Sequence, residues 1–204
     1  MERRMTDLTL EAALAHSRPL TGWLEEDEAA TLYRHAADLG ALGPILEIGS
    51  FHGKSTVVLA TAAKSVGARI YAVDPHEGIN YWQDDFGPMP ELGPTLDAFR
   101  HNLRAAGVAD AVIEVVMTSR EAFDHLREVE SFGLVFIDGN HGYEHVRRDF
   151  DQWSQRLAAD GVLAFHDSDT QMPGPRRVIA QVRERDDFAY IGRVAQLTSF
   201  RKIR

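Results

Sequence analysis

The chain has 204 residues, of which 44% are hydrophobic and 26% are charged, as is ordinary for one globular domain with a sizeable core. Its net charge of −9 disfavours a broad nucleic-acid surface, and its lack of cysteine excludes disulfides, thiolate metal ligands and cysteine nucleophiles. No apolar stretch is long enough to span a membrane and no signal peptide is evident, so we expect a cytoplasmic protein with no membrane or nucleic-acid partner.

Short apolar runs alternate with amphipathic segments along the chain, which predicts an α/β domain. An opening helix is predicted over 23–39, and strand-like runs then occur at 45–48, 69–73, 111–116, 133–137 and 161–165. Helices are predicted between and after them, at 54–66, 94–106, 120–128, 143–158 and 175–185, before two last strands at 188–193 and 195–201. Strands that are apolar on both faces indicate a mostly parallel sheet covered by helices. We assign 1–21 to an N-terminal extension and 22–204 to the domain.

Polar residues collect where the predicted strands end. They are Glu47 to Ser50, Asp74, Ser119, Asp138, and His166 with Asp167. In parallel sheets, ligands bind outside the carboxyl ends of the strands. Polar residues also follow strands because they form turns and cap helices. Such roles explain one or two of these positions, but they explain less well a polar side chain at every strand end.

The first strand runs into a glycine-rich turn between Gly49 and Gly53, followed by Lys54. A phosphate-binding P-loop needs one more residue between its glycines, and a dinucleotide fingerprint needs glycine where Phe51 stands. The turn does fit the Glu-x-Gly-x-x-x-Gly pattern of enzymes that use S-adenosylmethionine. Asp74 ends the second strand, 25 positions after Gly49, where an acid can accept hydrogen bonds from ribose hydroxyls.

These features resemble class I S-adenosylmethionine-dependent methyltransferases over roughly residues 22–200. The segments that carry the resemblance are ILEIGSFHGKST (45–56), YAVDPH (71–76), TSREAF (118–123), GLVFIDGNHGYEHVRRDFDQW (133–153) and GVLAFHDSD (161–169). The last two are similar to a small-molecule branch that includes sugar and macrolide O-methyltransferases and the cephalosporin hydroxylase group.

The resemblance implies a Rossmann-like three-layer sandwich, with a seven-stranded, mostly parallel sheet whose last strand is antiparallel. It also implies a cofactor site in which Glu47, Gly49 and Ser50 line the methionine part of S-adenosylmethionine. By the same resemblance Asp74 holds the ribose, and Thr118 and Ser119 lie beside the adenine. The remaining expected cofactor contacts are Phe51, Ser55, Pro75 and Asp138.

Four side chains at the strand ends are candidates for the chemistry: Asp138, His141, His166 and Asp167. Methyl transfer to a hydroxyl requires the hydroxyl to be deprotonated, by a metal ion that lowers its pKa or by a histidine base. Metal-dependent members of the branch have two adjacent carboxylates, whereas this chain has His166 before Asp167. We expect Asp138, His166 and Asp167 to be the metal ligands if a divalent ion such as Mg²⁺ or Mn²⁺ is used, and histidine favours Mn²⁺, Fe²⁺ or Zn²⁺ over Mg²⁺. Asp138 could instead cap a turn, and His141 could stack on Tyr143.

Residues 76–93 form the longest stretch without a periodic pattern, and contain Tyr81, Trp82 and Phe86. We expect a lid over the acceptor site, although a surface loop would have the same composition. The predicted function is methyl transfer to a small-molecule acceptor, with a sugar or natural-product hydroxyl favoured and N-methylation left open. The alternatives are a metal-dependent hydrolase or oxygenase on this fold, and a cofactor-binding module without catalysis. A homodimer could form through the N-terminal helix.

Overall fold

The computed structural model describes residues 8–78, 93–168 and 173–203, together with the backbone of a small hairpin between Trp82–Gln83 and Gly87–Pro88. Seven strands form one sheet: β1 (Ile45–Ile48), β2 (Ile70–Val73), β3 (Val112–Val115), β4 (Phe132–Ile137), β5 (Leu157–Phe165), β6 (Phe188–Val194) and β7 (Leu197–Lys202). Seven α-helices accompany it in the described part: α1 (Leu10–Ser17), α2 (Glu26–Leu39), α3 (Lys54–Ser65), α4 (Leu96–Ala105), α5 (Ser119–His125), α6 (Tyr143–Trp153) and α7 (Pro173–Arg183).

The strand order is β3-β2-β1-β4-β5-β7-β6. Strands β1 to β5 run parallel to one another, and β7 is antiparallel to both β5 and β6. This confirms the predicted fold class, a seven-stranded and mostly parallel sheet whose last strand is antiparallel. The strand order reverses between β1 and β4, which is where such sheets bind their ligands.

Alternate residues of each central strand enter opposite cores, as the pleat requires. Ile45 of β1 belongs to the core under α2, α3 and α4, whereas Leu46 and Ile48 belong to the core under α5, α6 and α7. Each face of the sheet is therefore covered by helices, which gives the three-layer sandwich. Within the described residues, no helix has the length and apolar character that crossing a bilayer requires.

The main departure from the predicted elements lies between β4 and β5. Helix α6 ends at Trp153 rather than continuing to 158, and a 3₁₀ turn at Ser154–Arg156 leads into a strand that begins at Leu157. Lys202 of β7 stabilises this turn by donating hydrogen bonds to the carbonyl oxygens of Ser154 and Leu157. Gly161 lies inside β5, where glycine is favoured because a Cβ would come 2.9 Å from the carbonyl oxygen of Gly133.

The N-terminal segment is closely joined to the rest of the chain. The hydroxyl of Ser17, at the end of α1, donates a hydrogen bond to the carbonyl oxygen of Lys54, and Tyr33 of α2 donates to the carbonyl oxygen of Leu8. Helix α2 begins at Glu26, later than position 23, because Glu25 and Glu28 form a capping box there. The division of the chain at residue 21 stays a prediction.

Candidate active site

The turn after β1 lies directly against the loop after β4. Gly49 has φ +89°, and a Cβ at this position would overlap the carbonyl group of Asp138 and come 2.8 Å from the Cα of Gly139. The amide of Gly49 donates to Val73, and the amide of Asp138 donates to Ile48. Glycine is therefore required for the backbones of three strand ends to meet at the reversal of strand order.

Asp74 connects the ends of β1 and β2. Its Oδ2 accepts a hydrogen bond from the amide of Phe51 at 2.8 Å, and its Oδ1 accepts one from the amide of His76 at 2.7 Å. Phe51 has φ +44°, so this acceptor also helps to hold a strained turn. Each carboxylate oxygen can accept another hydrogen bond, and Pro75 beside it is exposed.

Glu47 is fully buried beneath this turn. Its two carboxylate oxygens accept hydrogen bonds from the hydroxyls of Ser55 and Thr56, each at 2.5 Å. Burial raises the pKa of Glu47 to about 8, which the two hydroxyls oppose and the charges of Asp138 and Asp74 reinforce. The hydrogen bond between Glu47 and Ser55 thus joins β1 to the first turn of α3. Contact of these two residues with a cofactor stays a prediction.

Asp138, His141 and Asp167 converge beside the turn, from the ends of β4 and β5. Each offers one potential ligand atom, and these three atoms all lie within 4.8 Å of one another. The Nε2 of His141 is 2.8 Å from Oδ2 of Asp167. The backbone of Asp167 has φ +52°, a conformation that side chains other than glycine adopt at a cost of about 1–3 kcal/mol.

The pKa values within this cluster are shifted by burial and by the partners. Burial disfavours the charged form of His141, but its hydrogen bond to Asp167 and the charges of Asp167 and Asp138 together outweigh this effect and raise the pKa of His141. Burial raises the pKa of Asp138, although His166 opposes the shift. Burial also tends to raise the pKa of Asp167, but hydrogen bonds to His141 and His166 hold the pKa of that carboxyl well below its usual range. These partners therefore favour the ionised form of Asp167, which lies in position to orient His141.

His166 lies behind the cluster, on the interior side. Its Nδ1 is 3.3 Å from Oδ1 of Asp138 and 3.3 Å from Oδ2 of Asp167, and its Nε2 is 3.2 Å from Oε2 of Glu28. Burial opposes a charge on this ring, yet the surrounding carboxylates outweigh it and raise the pKa of His166. The group of potential metal ligands therefore contains His141 with the two aspartates, where the sequence suggested His166 with them.

A family model described as a methyltransferase domain matches residues 46–168. The chain belongs to the methyltransferase domain family. The match confirms the resemblance to class I S-adenosylmethionine-dependent methyltransferases that the motifs indicated. It spans the turn after β1, Asp74 and the Asp138–His141–Asp167 cluster, so the candidate site lies within the matched region.

Solved structures share the fold of this methyltransferase domain. The O-methyltransferase TomG from Streptomyces achromogenes, in complex with S-adenosylmethionine, is 20% identical, with a TM-score of 0.68 over 96% of this chain and 89% of that chain. The O-methyltransferase NovP is 14% identical, with a TM-score of 0.73 over 88% of this chain and 81% of that chain. An O-methyltransferase from Bacillus cereus, in complex with S-adenosylhomocysteine, is 18% identical, with a TM-score of 0.66 over 96% of this chain and 91% of that chain.

One curated relative is the uncharacterized protein y4gI of Sinorhizobium fredii, which is 27% identical over 162 residues. The aligned region is 76% of this chain but 16% of that protein. The methyltransferase domain therefore corresponds to a small part of a much longer relative.

The predicted adenine neighbours of the methyltransferase domain have protein partners. Thr118 forms the capping box of α5 with Glu121. The hydroxyl of Ser119 donates to Oδ1 of Asp149 at 2.5 Å and accepts from Nε1 of Trp153 at 2.8 Å. Asp149 is only 6% exposed, and burial raises its pKa to about 6. Sequence analysis did not single out this buried acid.

The predicted lid falls largely outside the described residues. Tyr81 and Phe86 lie outside them, as does Asp169, and only the backbone of Trp82 is described. Another aromatic surface adjoins the turn after β1, where Trp23 is 61% exposed and its ring centroid lies 5.8 Å from that of Phe51.

Proposed function

We propose that this methyltransferase domain binds S-adenosylmethionine at the carboxyl ends of β1 and β2 and transfers its methyl group to a hydroxyl of a small-molecule acceptor. The observation that carries the proposal is the position of the Asp138–His141–Asp167 cluster. It lies immediately beside the glycine turn, because Gly49 is in backbone contact with Asp138. A cofactor at the turn and an acceptor at the cluster would therefore be neighbours.

The residues at the turn suit S-adenosylmethionine. Ser50 is 2% exposed, and its hydroxyl has no hydrogen-bond partner among the described residues. Leaving such a group unpaired costs about 1–3 kcal/mol, which a ligand could recover. Asp74 retains acceptor capacity for ribose hydroxyls. TomG and the Bacillus cereus enzyme carry S-adenosylmethionine and its demethylated product, which supports the same cofactor here.

The cluster suits activation of a hydroxyl. S-adenosylmethionine supplies an electrophilic methyl group on a sulfonium sulfur. His141, oriented by Asp167, would accept the proton of the acceptor hydroxyl, which would leave the acceptor oxygen free to take the methyl group. Two carboxylates and an imidazole would also hold a divalent cation, with Mn²⁺ favoured over Mg²⁺, and such an ion would lower the pKa of the hydroxyl.

The net charge of −9 supports a small acceptor rather than a nucleic acid. The proposal includes a cytoplasmic location. It also includes a homodimer formed through the opening helix that the sequence predicts at 23–39.

The test is methyl transfer from methyl-labelled S-adenosylmethionine to a panel of hydroxylated sugars and phenols, using chelator-treated protein with and without Mn²⁺ or Mg²⁺. Labelled product is expected in the wild type, with a loss of at least tenfold in Asp167→Asn. If chelator-treated wild type is inactive and Mn²⁺ restores its activity, activation of the hydroxyl by a metal ion is favoured. Full activity of the wild type in chelator would instead favour His141 as the base. Equal product formation by wild type and Asp167→Asn would overturn the role of the cluster.

A further inference from the structure

We propose that Glu28 of α2 is a positioning residue that holds the Asp138–His141–Asp167 cluster in place through His166. The proposal deepens the proposed function, on which it rests, because it identifies what keeps that cluster assembled. Glu28 reaches the Asp138–His141–Asp167 cluster through His166, whose Nε2 lies 3.2 Å from Oε2 of Glu28. It acts from the helix that packs on the opposite side of His166.

Glu28 forms more contacts than a capping residue requires. Its Oε2 accepts the amide of Glu25 at 2.8 Å, which completes the capping box of α2. The same oxygen lies 3.2 Å from Nε2 of His166, and Oε1 accepts the amide of Gln196 at 2.7 Å. A capping box does not itself require burial, yet this carboxylate is 0% exposed. Burying it is costly, and the extra partners offset that cost.

His166 transmits the constraint to the cluster. Its Nε2 is fixed by Glu28, so its Nδ1 is directed between the two aspartates, 3.3 Å from an oxygen of each. The ring is 3% exposed and has no room to adopt another orientation without losing one set of contacts. Two carboxylates this close repel each other, and the imidazole between them and Glu28 keeps them together.

A second connection runs from Glu28 to the backbone of the loop after β5. Gln196, whose amide Glu28 accepts, receives hydrogen bonds at its carbonyl oxygen from the amide of Ser168 at 3.0 Å and from the hydroxyl of Ser168 at 2.7 Å. Glu28 thus contacts the residue before Asp167, His166, directly, and the residue after it, Ser168, through Gln196. Because both neighbours are held, the backbone of Asp167 keeps its left-handed conformation, which directs the carboxylate to His141.

The first experiment compares Glu28→Gln with Glu26→Gln as its control. Glu26 is on the same helix, but it is exposed and pairs with Arg18, so the control removes the same charge from a position that does not reach His166. The measurements are the ring N–H proton of His141 by ¹⁵N-edited NMR in chelator-treated protein, Mn²⁺ affinity by titration, and S-adenosylmethionine affinity as a check that the fold is intact.

We expect Glu28→Gln to lose the hydrogen-bonded ring N–H signal of His141 and to bind Mn²⁺ about 10–100-fold more weakly, as is usual when a group that orients ligands is removed. Its affinity for S-adenosylmethionine should stay within about twofold, and Glu26→Gln should match the wild type in all three measurements. A Glu28→Gln protein that keeps the His141 signal and the Mn²⁺ affinity would overturn the proposal, as would equal losses in Glu26→Gln.

A second variant, His166→Asn, cuts the same connection from its other end and replaces Glu28→Gln if that protein does not fold. Its amide can still donate to Asp138 or Asp167 but does not reach Glu28. Because Glu28 lies at the start of both connections, the two substitutions combined should lose no more than Glu28→Gln alone, and additive losses would contradict the proposal. If the wild type binds no Mn²⁺, the metal option of the proposed function fails, and the His141 signal alone decides the role of Glu28.

Discussion

Gly49→Ala is the substitution for which the structure gives the most specific expectation. A left-handed φ costs a residue with a Cβ about 1–2 kcal/mol, and at φ +89° alanine incurs this strain. The new Cβ would also overlap the carbonyl group of Asp138, and overpacking of this kind adds about 1–3 kcal/mol. The backbone after β4 must then move, which displaces Asp138 from the cluster. We expect the free energy of unfolding to fall by roughly 2–5 kcal/mol.

Gly67→Ala is the matched control. Gly67 has φ +73°, but a Cβ there would meet nothing within 4 Å, so only the strain of about 1–2 kcal/mol applies. The assay is thermal unfolding, in which 1 kcal/mol corresponds to a shift in Tm of about 2–4 °C for a chain of this size. S-adenosylmethionine affinity is measured beside it and should fall only in Gly49→Ala. Equal losses of stability and affinity in the two variants would refute the argument from close backbone approach.

Three further outcomes follow from individual side chains. Because burial raises the pKa of Glu47 to about 8, the folded protein retains a proton that the unfolded chain releases near its ordinary value of 4.5. Stability should therefore fall as pH rises from 5 to 8, by at most about 1.4 kcal/mol per pH unit, and urea unfolding of Glu47→Gln should show a flatter dependence. Ser50→Ala removes a buried hydroxyl with no described partner, so thermal unfolding should show no loss of stability, while calorimetry should show S-adenosylmethionine affinity reduced about fivefold to tenfold. Asp74→Ala should reduce that affinity at least tenfold, because hydrogen bonds to a charged group contribute about 1.5–3 kcal/mol each, and an unchanged Kd would remove Asp74 from the site.

The sheet could be predicted because its signal is local. The apolar runs of β1 and β4 stand between helical segments, and their polar ends fall at one edge of any parallel sheet. For the same reason Asp138 and Asp167, which follow neighbouring strands, could be placed together from sequence. The boundary at 153–157 was missed because the start of β5 depends on hydrogen bonds from Lys202, some 45 residues later.

The organisation behind the cluster could not be predicted, because it depends on contacts between distant residues. Glu28 and His166 are separated by 138 positions, and the capping-box pattern of α2 explains Glu28 without reference to the site. The adjacency of His166 and Asp167 suggested that both are metal ligands, and this choice stays a prediction. The contacts that sequence could not show are that His166 reaches Glu28 as well as the two aspartates, and that Asp167, with its left-handed backbone, pairs with His141.

Calorimetric titration of chelator-treated protein with S-adenosylmethionine, with and without Mn²⁺, is the decisive test of the cofactor site. We expect saturable binding by the wild type, a large loss of affinity in Asp74→Ala, and retained affinity in Asp167→Asn, whose defect should be confined to the cluster. Absence of binding by the folded wild type under both conditions would contradict the assignment of the turn after β1 as the cofactor site, and with it the proposed methyl transfer.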